Sequence, residues 1–380
     1  MIKRIVFVVA GLLILGALGF VALNSTDTQL DPAAAALIKR FRDHPDPPGN
    51  AYYPLIGLQL PGQADPETKG RGFVEKLASM TITQQTAQVE KELGPLLKLP
   101  NVPDCNPRVQ HCLAVYQANK ACITAAIQRH RTLLHGYSYT IQNYHVFYDP
   151  GVVVVWDIGL SSAQELYAYQ TIHLWAAGQG QRALRRLSQD VSFWRMILGD
   201  APQMTARFMA VAILTDDYGL AGEILRRCAP CRDTKPASEL LAPLTTQELD
   251  PIKAREGEFV QNVTLMKKAE AERGHKLSLW KSLFYHRNRI TNALYSELQD
   301  EIRLAKAPPE RRAPLTNQLN AKYAGGTTLV SWLGLYVHPE SKMLAAVTWA
   351  ARGDANGNAA RALDTYRAQI AKRTLKQHAR

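Results

Sequence analysis

A chain of 380 residues with 46% hydrophobic and 21% charged content can fill one large core or two average domains, which excludes an intrinsically disordered protein. Its formal charge of +12 raises the question of nucleic acid. Setting aside Lys3, Arg4 and the net five of the last twenty residues leaves a net charge of only +5 over 24–360. So dilute a charge suits a solvated surface, or one facing anionic headgroups, better than a phosphate-tracking groove, and no nucleic-acid partner is expected.

Residues 1–4 form a short tip, and Ile5 to Leu23 follow as nineteen positions without a charge. Nineteen residues are about the length that crosses a hydrocarbon layer of roughly 30 Å. Lys3 and Arg4 before the run, against Asp27 and Asp31 after it, predict a cytoplasmic N-terminus, contact with membrane lipid through residues 5–23, and export of the remainder. Ala17 and Gly19 keep a cleaved signal peptide open as the rival reading, and a buried core helix is the plain one. No cysteine lies near the run, which removes a lipid-anchored lipoprotein.

Residues 24–72 read as an irregular linker with one short helix. Asp31-Pro32 makes an N-cap with proline in the first turn, and the helix reaches about Asp43 before His44-Pro45-Asp46-Pro47-Pro48-Gly49 stops it. Four glycines and three prolines between Tyr52 and Gly72 predict irregular chain, with Asp65-Pro66 opening at most a helical turn. A helical domain is then expected over 73–227. Its first helix runs from about Phe73 to Leu93, where Gly94-Pro95 stops it. Pro107 begins a long helix whose apolar face carries Val109, Cys112, Tyr116, Ile123, Ile127 and Leu134. Val152–Trp156 is β-branched and aromatic, either a single strand or an extended buried connector.

From Ser161 to Arg227 the pattern is one of paired helices. Leu184, Leu187, Val191, Trp194 and Leu198 repeat at 3-4-3-4 spacing, with joints at Gly178/Gly180 and at Gly199–Pro202. A Pro-rich linker over 228–258 (Pro230, Pro236, Pro243, Pro251) precedes a second helical block over 259–380 with a basic C-terminal tail. That block holds Lys276–Leu298, with Trp280, Leu283, Phe284, Ile290 and Leu294 inward, then Thr327–Ala351, divided by Pro308-Pro309 and Pro314, and a last helix from about Ala359. The expected fold is all-α, mainly helical hairpins in an array of tetratricopeptide type, behind one N-terminal transmembrane helix.

Export places Cys105, Cys112, Cys122, Cys228 and Cys231 in an oxidising compartment. Five is odd, so at least one stands outside an intrachain pair. Cys112 and Cys122 lie ten residues apart in one expected helix, a rise of about 15 Å that no disulfide spans. Cys105, before the helix start, folds back to pair with Cys112. Cys228-Ala229-Pro230-Cys231 has the spacing of a thiol redox pair, but it follows a helix, where the dipole raises a thiol's pKa. Cys228 and Cys231 are expected to form a structural disulfide.

No catalytic, cofactor-binding or metal-binding residue is expected. Ser278-Leu279-Trp280-Lys281 matches the Ser-x-x-Lys spacing, yet Ser-Asp-Asn and Lys-Thr-Gly companions are missing. His130 and His135 are five apart, which on a helix denies them a shared metal. Asp216-Asp217, Glu256/Glu258 and Glu270/Glu272 read as solvated faces. Tyr137, Tyr139, Tyr144, Phe147, Tyr148 and Trp156 read as core.

The succession of the apolar run, Asn50–Leu58 (NAYYPLIGL), the cysteine helix and Asp190–Leu198 (DVSFWRMIL) resembles a group of proteobacterial single-pass envelope proteins. The resemblance covers most of the chain and implies an inner-membrane anchor and a helical periplasmic domain. It implies no activity and gives no residue a role. The expected function is a protein-binding or structural envelope component with an envelope protein as partner. An envelope hydrolase with an unrecognised site and a thiol oxidoreductase using Cys228 and Cys231 stand as alternatives.

Overall fold

The computed structural model describes residues 27–62, 65–93, 105, 111–149, 151, 157–228, 231, 234–273, 286–324 and 358–376. Among them the protein is all-α. The helices are α1 Pro32–Arg42, α2 Tyr52–Leu58, α3 Pro66–Ala78, α4 Ile82–Leu93, α5 Cys112–Ala118, α6 Lys120–Arg129, α7 Arg131–Asn143 and α8 Asp157–Ala176. They continue with α9 Gly180–Asp200, α10 Met204–Arg227, α11 Lys235–Leu240, α12 Thr246–Leu249, α13 Ile252–Arg273, α14 Arg287–Lys306, α15 Pro309–Ala324 and α16 Asn358–Lys376. The described residues hold no strand, only an isolated bridge between Asn50 and Val146. No helix among them is long and apolar enough to cross a membrane. Residues 5–23, the expected anchor, lie outside the described residues, as do Val152–Trp156 and Thr327–Ala351.

The chain divides into two compact units, Met1–Asp43 with Phe259–Asn356, and His44–Glu258 with Gly357–Arg380. In the smaller unit, Asp31 caps α1 by accepting from Ala33 N and Ala34 N. Ala34, Leu37 and Ile38 then bury one face of α1 against Phe259, Val260 and Val263 of α13 and Leu298 of α14. The N-terminus of α14 has no local side-chain cap. Asp27 serves instead, accepting from Asn288 N at 2.9 Å and Arg289 N at 3.2 Å, while Asn292 binds Gln29 O and Asp31 N. Pro314 does not separate two helices but lies inside α15, near enough to its start that it costs one backbone bond.

The larger unit corrects several expectations. The segment 52–72 is not irregular: α2 is buried along its whole length and pairs with α3. Gly57 and Gly70 are the reason, because a Cβ on Gly57 would overlap the carbonyl of Pro66, and one on Gly70 the carbonyl of Tyr53. The two glycines thus let backbones touch rather than break helices. The single helix expected over 73–93 is two, since Thr81 and Gln84 cap each other reciprocally (Thr81 N to Gln84 Oε1 3.0 Å, Gln84 N to Thr81 Oγ1 3.2 Å) and start α4 afresh. The long cysteine helix is likewise three, α5 to α7, turning at Asn119 and His130.

The paired helices appear as α8, α9 and α10, and Leu184, Leu187, Val191, Trp194 and Leu198 are all buried. Residues 228–258 are no linker. Their helices α11 and α12 pack on α9, and α16 packs on α10 through Leu363 and Ile370 rather than joining a C-terminal block.

Gly57→Ala and Gly70→Ala are each expected to destabilise the larger unit by about 3 kcal/mol despite alanine's better helix propensity, because the methyl overlaps backbone. Gly72→Ala in the same helix α3 meets nothing within 4 Å and is expected to stabilise by about 0.5–1 kcal/mol. Urea unfolding of the three variants checks the opposite signs.

Candidate functional site

Four helices of the larger unit meet around a polar centre. Helix α9 supplies Arg186, Asp190 and Trp194 on one i, i+4 stripe, α7 supplies Tyr137, α8 supplies Gln164 and Tyr167, and α10 supplies Asp217. Trp194 Nε1 donates to Tyr137 Oη at 2.7 Å, and Tyr137 Oη donates to Asp190 Oδ1 at 2.7 Å. Gln164 Nε2 donates to Asp217 Oδ1 at 3.2 Å. Arg186 lies 3.5 Å over the ring of Tyr167 and reaches Ser138 Oγ at 3.3 Å. Trp194, Tyr137 and Asp190 are fully buried and Asp217 is 1% exposed.

Burial governs the charge here. It pushes Asp190 up to about 7, against the Tyr137 hydrogen bond and the Arg186 charge. Asp217 is likewise pushed well above the usual carboxylate range, first by burial and then by the negative charges of Asp190 and Asp216. Two acids that share a dry site resist ionising together, so burial and mutual repulsion keep protons on this pair above the usual carboxylate range. The donors run inward and end on buried acceptors, so the arrangement can store a proton and fix helix packing; it presents no reactive atom to solvent.

A second polar group holds residues 241–248. Arg195 of α9 makes a bidentate pair with Glu248 (Nε to Oε1 2.6 Å, Nη2 to Oε2 2.9 Å) and donates to Ala242 O and Pro243 O. Arg207 of α10 donates to Leu198 O and Glu248 O, and Arg367 of α16 donates to Leu241 O and pairs with Asp364. Beside Arg195 lies an open concavity of ≈ 380 Å³ lined by Ser192, Arg195, Asp200, Gln247 and Glu248 among others. Its polar groups are largely committed to one another: Gln247 binds Asp200 at 3.0 Å, and Lys253 lies 3.6 Å from the same carboxylate.

The two disulfides sit near the end of α10. Cys105 is joined to Cys112 and Cys228 to Cys231, with Cα–Cα distances of 5.6 and 5.3 Å. Cys122 is outside both bonds. Buried Glu223 of α10 accepts from Cys112 N at 3.0 Å, and Cys228 ends the same helix. A Cβ on Gly180 would lie 2.8 and 2.9 Å from the two sulfurs of the second bond, so glycine there lets this disulfide seat on the α8–α9 joint.

The other residues singled out in the sequence separate cleanly. Asp217 is not on a solvated face, because α10 turns it inward between Leu214 and Ala221, both fully buried. Glu258 pairs with Arg255 at 3.0 Å and Glu270 with Arg287 at 3.5 Å. His130 falls at the turn between α6 and α7, and His135 is on the exposed side of α7. No group of three His, Cys, Asp or Glu side chains among the described residues is placed to hold a metal. Tyr137, Tyr144 and Phe147 are core, Tyr148 stacks on His44 at 4.3 Å, and Tyr139 is exposed. Ser278, Trp280 and Trp156 lie outside the described residues. Asp190 escaped notice, although a carboxylate between Leu187 and Trp194 at core spacing was the available signal.

No protein-family model, curated protein or solved structure matches the chain.

Carboxylates of an unfolded chain titrate near 4. Between there and about 7 the folded protein holds protons that the unfolded chain releases, so stability falls as pH rises through that window, Asp217 acting in the same direction. The slope is expected to reach about 1.4 kcal/mol per pH unit for each proton held. The double variant Asp190→Asn/Asp217→Asn is expected to flatten it. Urea midpoints at about pH 5 and pH 8 are the measurement, and a wild-type midpoint that rises between them contradicts the assignment.

Proposed function

We propose that the chain is an inner-membrane envelope protein held by residues 5–23, with its N-terminus in the cytoplasm and its all-α domain in the periplasm, where it binds or scaffolds another envelope protein. The observation that carries this reading is the pair of disulfides, Cys105–Cys112 and Cys228–Cys231, in a domain that follows a nineteen-residue uncharged run. Disulfides of this kind persist where the compartment is oxidising, and Lys3 and Arg4 before the run orient it inward.

Two further features favour binding over catalysis. The buried polar centre joins Trp194, Tyr137 and Asp190, and Gln164 and Asp217, across four helices and lies away from solvent, as a network that fixes packing does. The succession α8, α9, α10 pairs each helix with the next, as in tetratricopeptide-type arrays, and such arrays bind through an exposed helical face. The sequence resemblance to proteobacterial single-pass envelope proteins points the same way. Thiol oxidoreduction is disfavoured, because Cys228 ends α10 and a helix C-terminus disfavours the thiolate.

Two measurements test the placement. A periplasm-dependent reporter enzyme fused after Arg380 is expected to be active. Alkylation of the denatured, unreduced full chain is expected to label Cys122 alone, rising to all five cysteines after reduction. Five labels without reduction, or a reporter active only in the cytoplasm, removes the proposal.

A further inference from the structure

Within residues 44–258 the sequence holds two acid-free basic stretches. Residues 106–148 contain no Asp or Glu but include Arg108, Lys120, Arg129 and Arg131, and residues 166–189 contain none but include Arg182, Arg185 and Arg186. The structure brings the described part of these two stretches together. Helices α7 and α9 meet along Ser138–Arg186 and Gln142–Gln189, and α6 packs beside α7. Lys120, Arg129, Arg131, Arg182 and Arg185 are all exposed, and none forms an ion pair among the described residues. Elsewhere in the same unit half-exposed Arg71 pairs with Asp46 and Glu67, and exposed Lys235 with Glu239.

One apolar residue joins this face. Tyr139, 48% exposed, is the exposed large hydrophobic residue of the described chain. It lies on the i+4 strip Arg131, His135, Tyr139 of α7. Tyrosine beside arginine is the composition of a surface that rests at a membrane–water interface, where the ring reaches headgroup level and the cations meet phosphates. The cations come from three separate helices and no pocket gathers them, which fits a plane of headgroups better than a single bound phosphate.

We propose that the α6–α7–α9 face docks on anionic phospholipid headgroups. The inference rests on the reading of residues 5–23 as a membrane anchor, which keeps the domain beside a bilayer. The surface charge supplies attraction, and the acid-free helices remove the repulsion that an interspersed carboxylate would bring.

The test uses the full chain reconstituted into neutral phosphatidylcholine nanodiscs, so that residues 5–23 are already occupied, followed by co-flotation with added vesicles. Partition onto vesicles containing phosphatidylglycerol is expected to exceed that onto phosphatidylcholine vesicles, and to fall with added salt. Arg129→Gln, Arg131→Gln, Arg182→Gln and Arg185→Gln are each expected to lower it about five-fold. Lys76→Gln and Lys91→Gln, which remove exposed cations from α3 and α4, are expected to leave it unchanged. A circular dichroism melt confirms that the arginine variants fold.

Equal partition onto neutral and anionic vesicles, or loss of partition shared equally by the Lys76 and Lys91 variants, overturns the docking face. An acidic protein as the true occupant would give the first of these results. Failure of the chain to enter the nanodiscs is a separate outcome that counts against the anchor itself.

Discussion

The larger unit is organised around the hydrogen bond from Tyr137 to Asp190 and its continuation to Trp194. A carboxyl group with no solvent contact is tolerated only with a donor at hand or a proton on board, and here both conditions operate. Because the donors come from α7 and α9 and the second acid from α10, the requirement fixes how three helices meet. Apolar packing alone would leave α9 free to rotate among several positions, since it buries residues around much of its circumference. The polar centre selects one of them, at a cost in solvation that the surrounding aromatic rings offset.

A similar economy explains why a proline-rich segment belongs to the body of the protein. Prolines at 243 and 251 deprive the chain of amide donors and interrupt regular structure, leaving carbonyls to be satisfied by other means. Arg195, Arg207 and Arg367 reach them from α9, α10 and α16. Each guanidinium carries several donors in a rigid fork, so one side chain can serve two or three carbonyls. The guanidinium groups at these positions are therefore part of the scaffold.

Much of the architecture was legible in the residues. The N-cap at Asp31, the 3-4 spacing of Leu184 to Leu198, the joints around Gly178 and Pro202 and both cysteine pairs follow from local chemistry. What was hidden depends on neighbours distant in sequence. Gly57 and Gly70 look like punctuation until each is seen against the other helix's backbone. Asp217 looks solvated beside Asp216 because the distinction between adjacent positions rests on which way α10 faces. Composition made the charge seem diffuse, and only the packing of α7 against α9 brought two acid-free stretches to one place. The reach of Arg367 across 126 residues to Leu241 has no signature in either segment.

The attachment of Asp27 to the first turn of α14 has a mechanical consequence. Four residue steps separate Leu23 from Asp27, which even fully stretched amount to about 14 Å. With residues 5–23 in the bilayer, as proposed, the first turn of α14 is moored within about that distance of the end of the anchor.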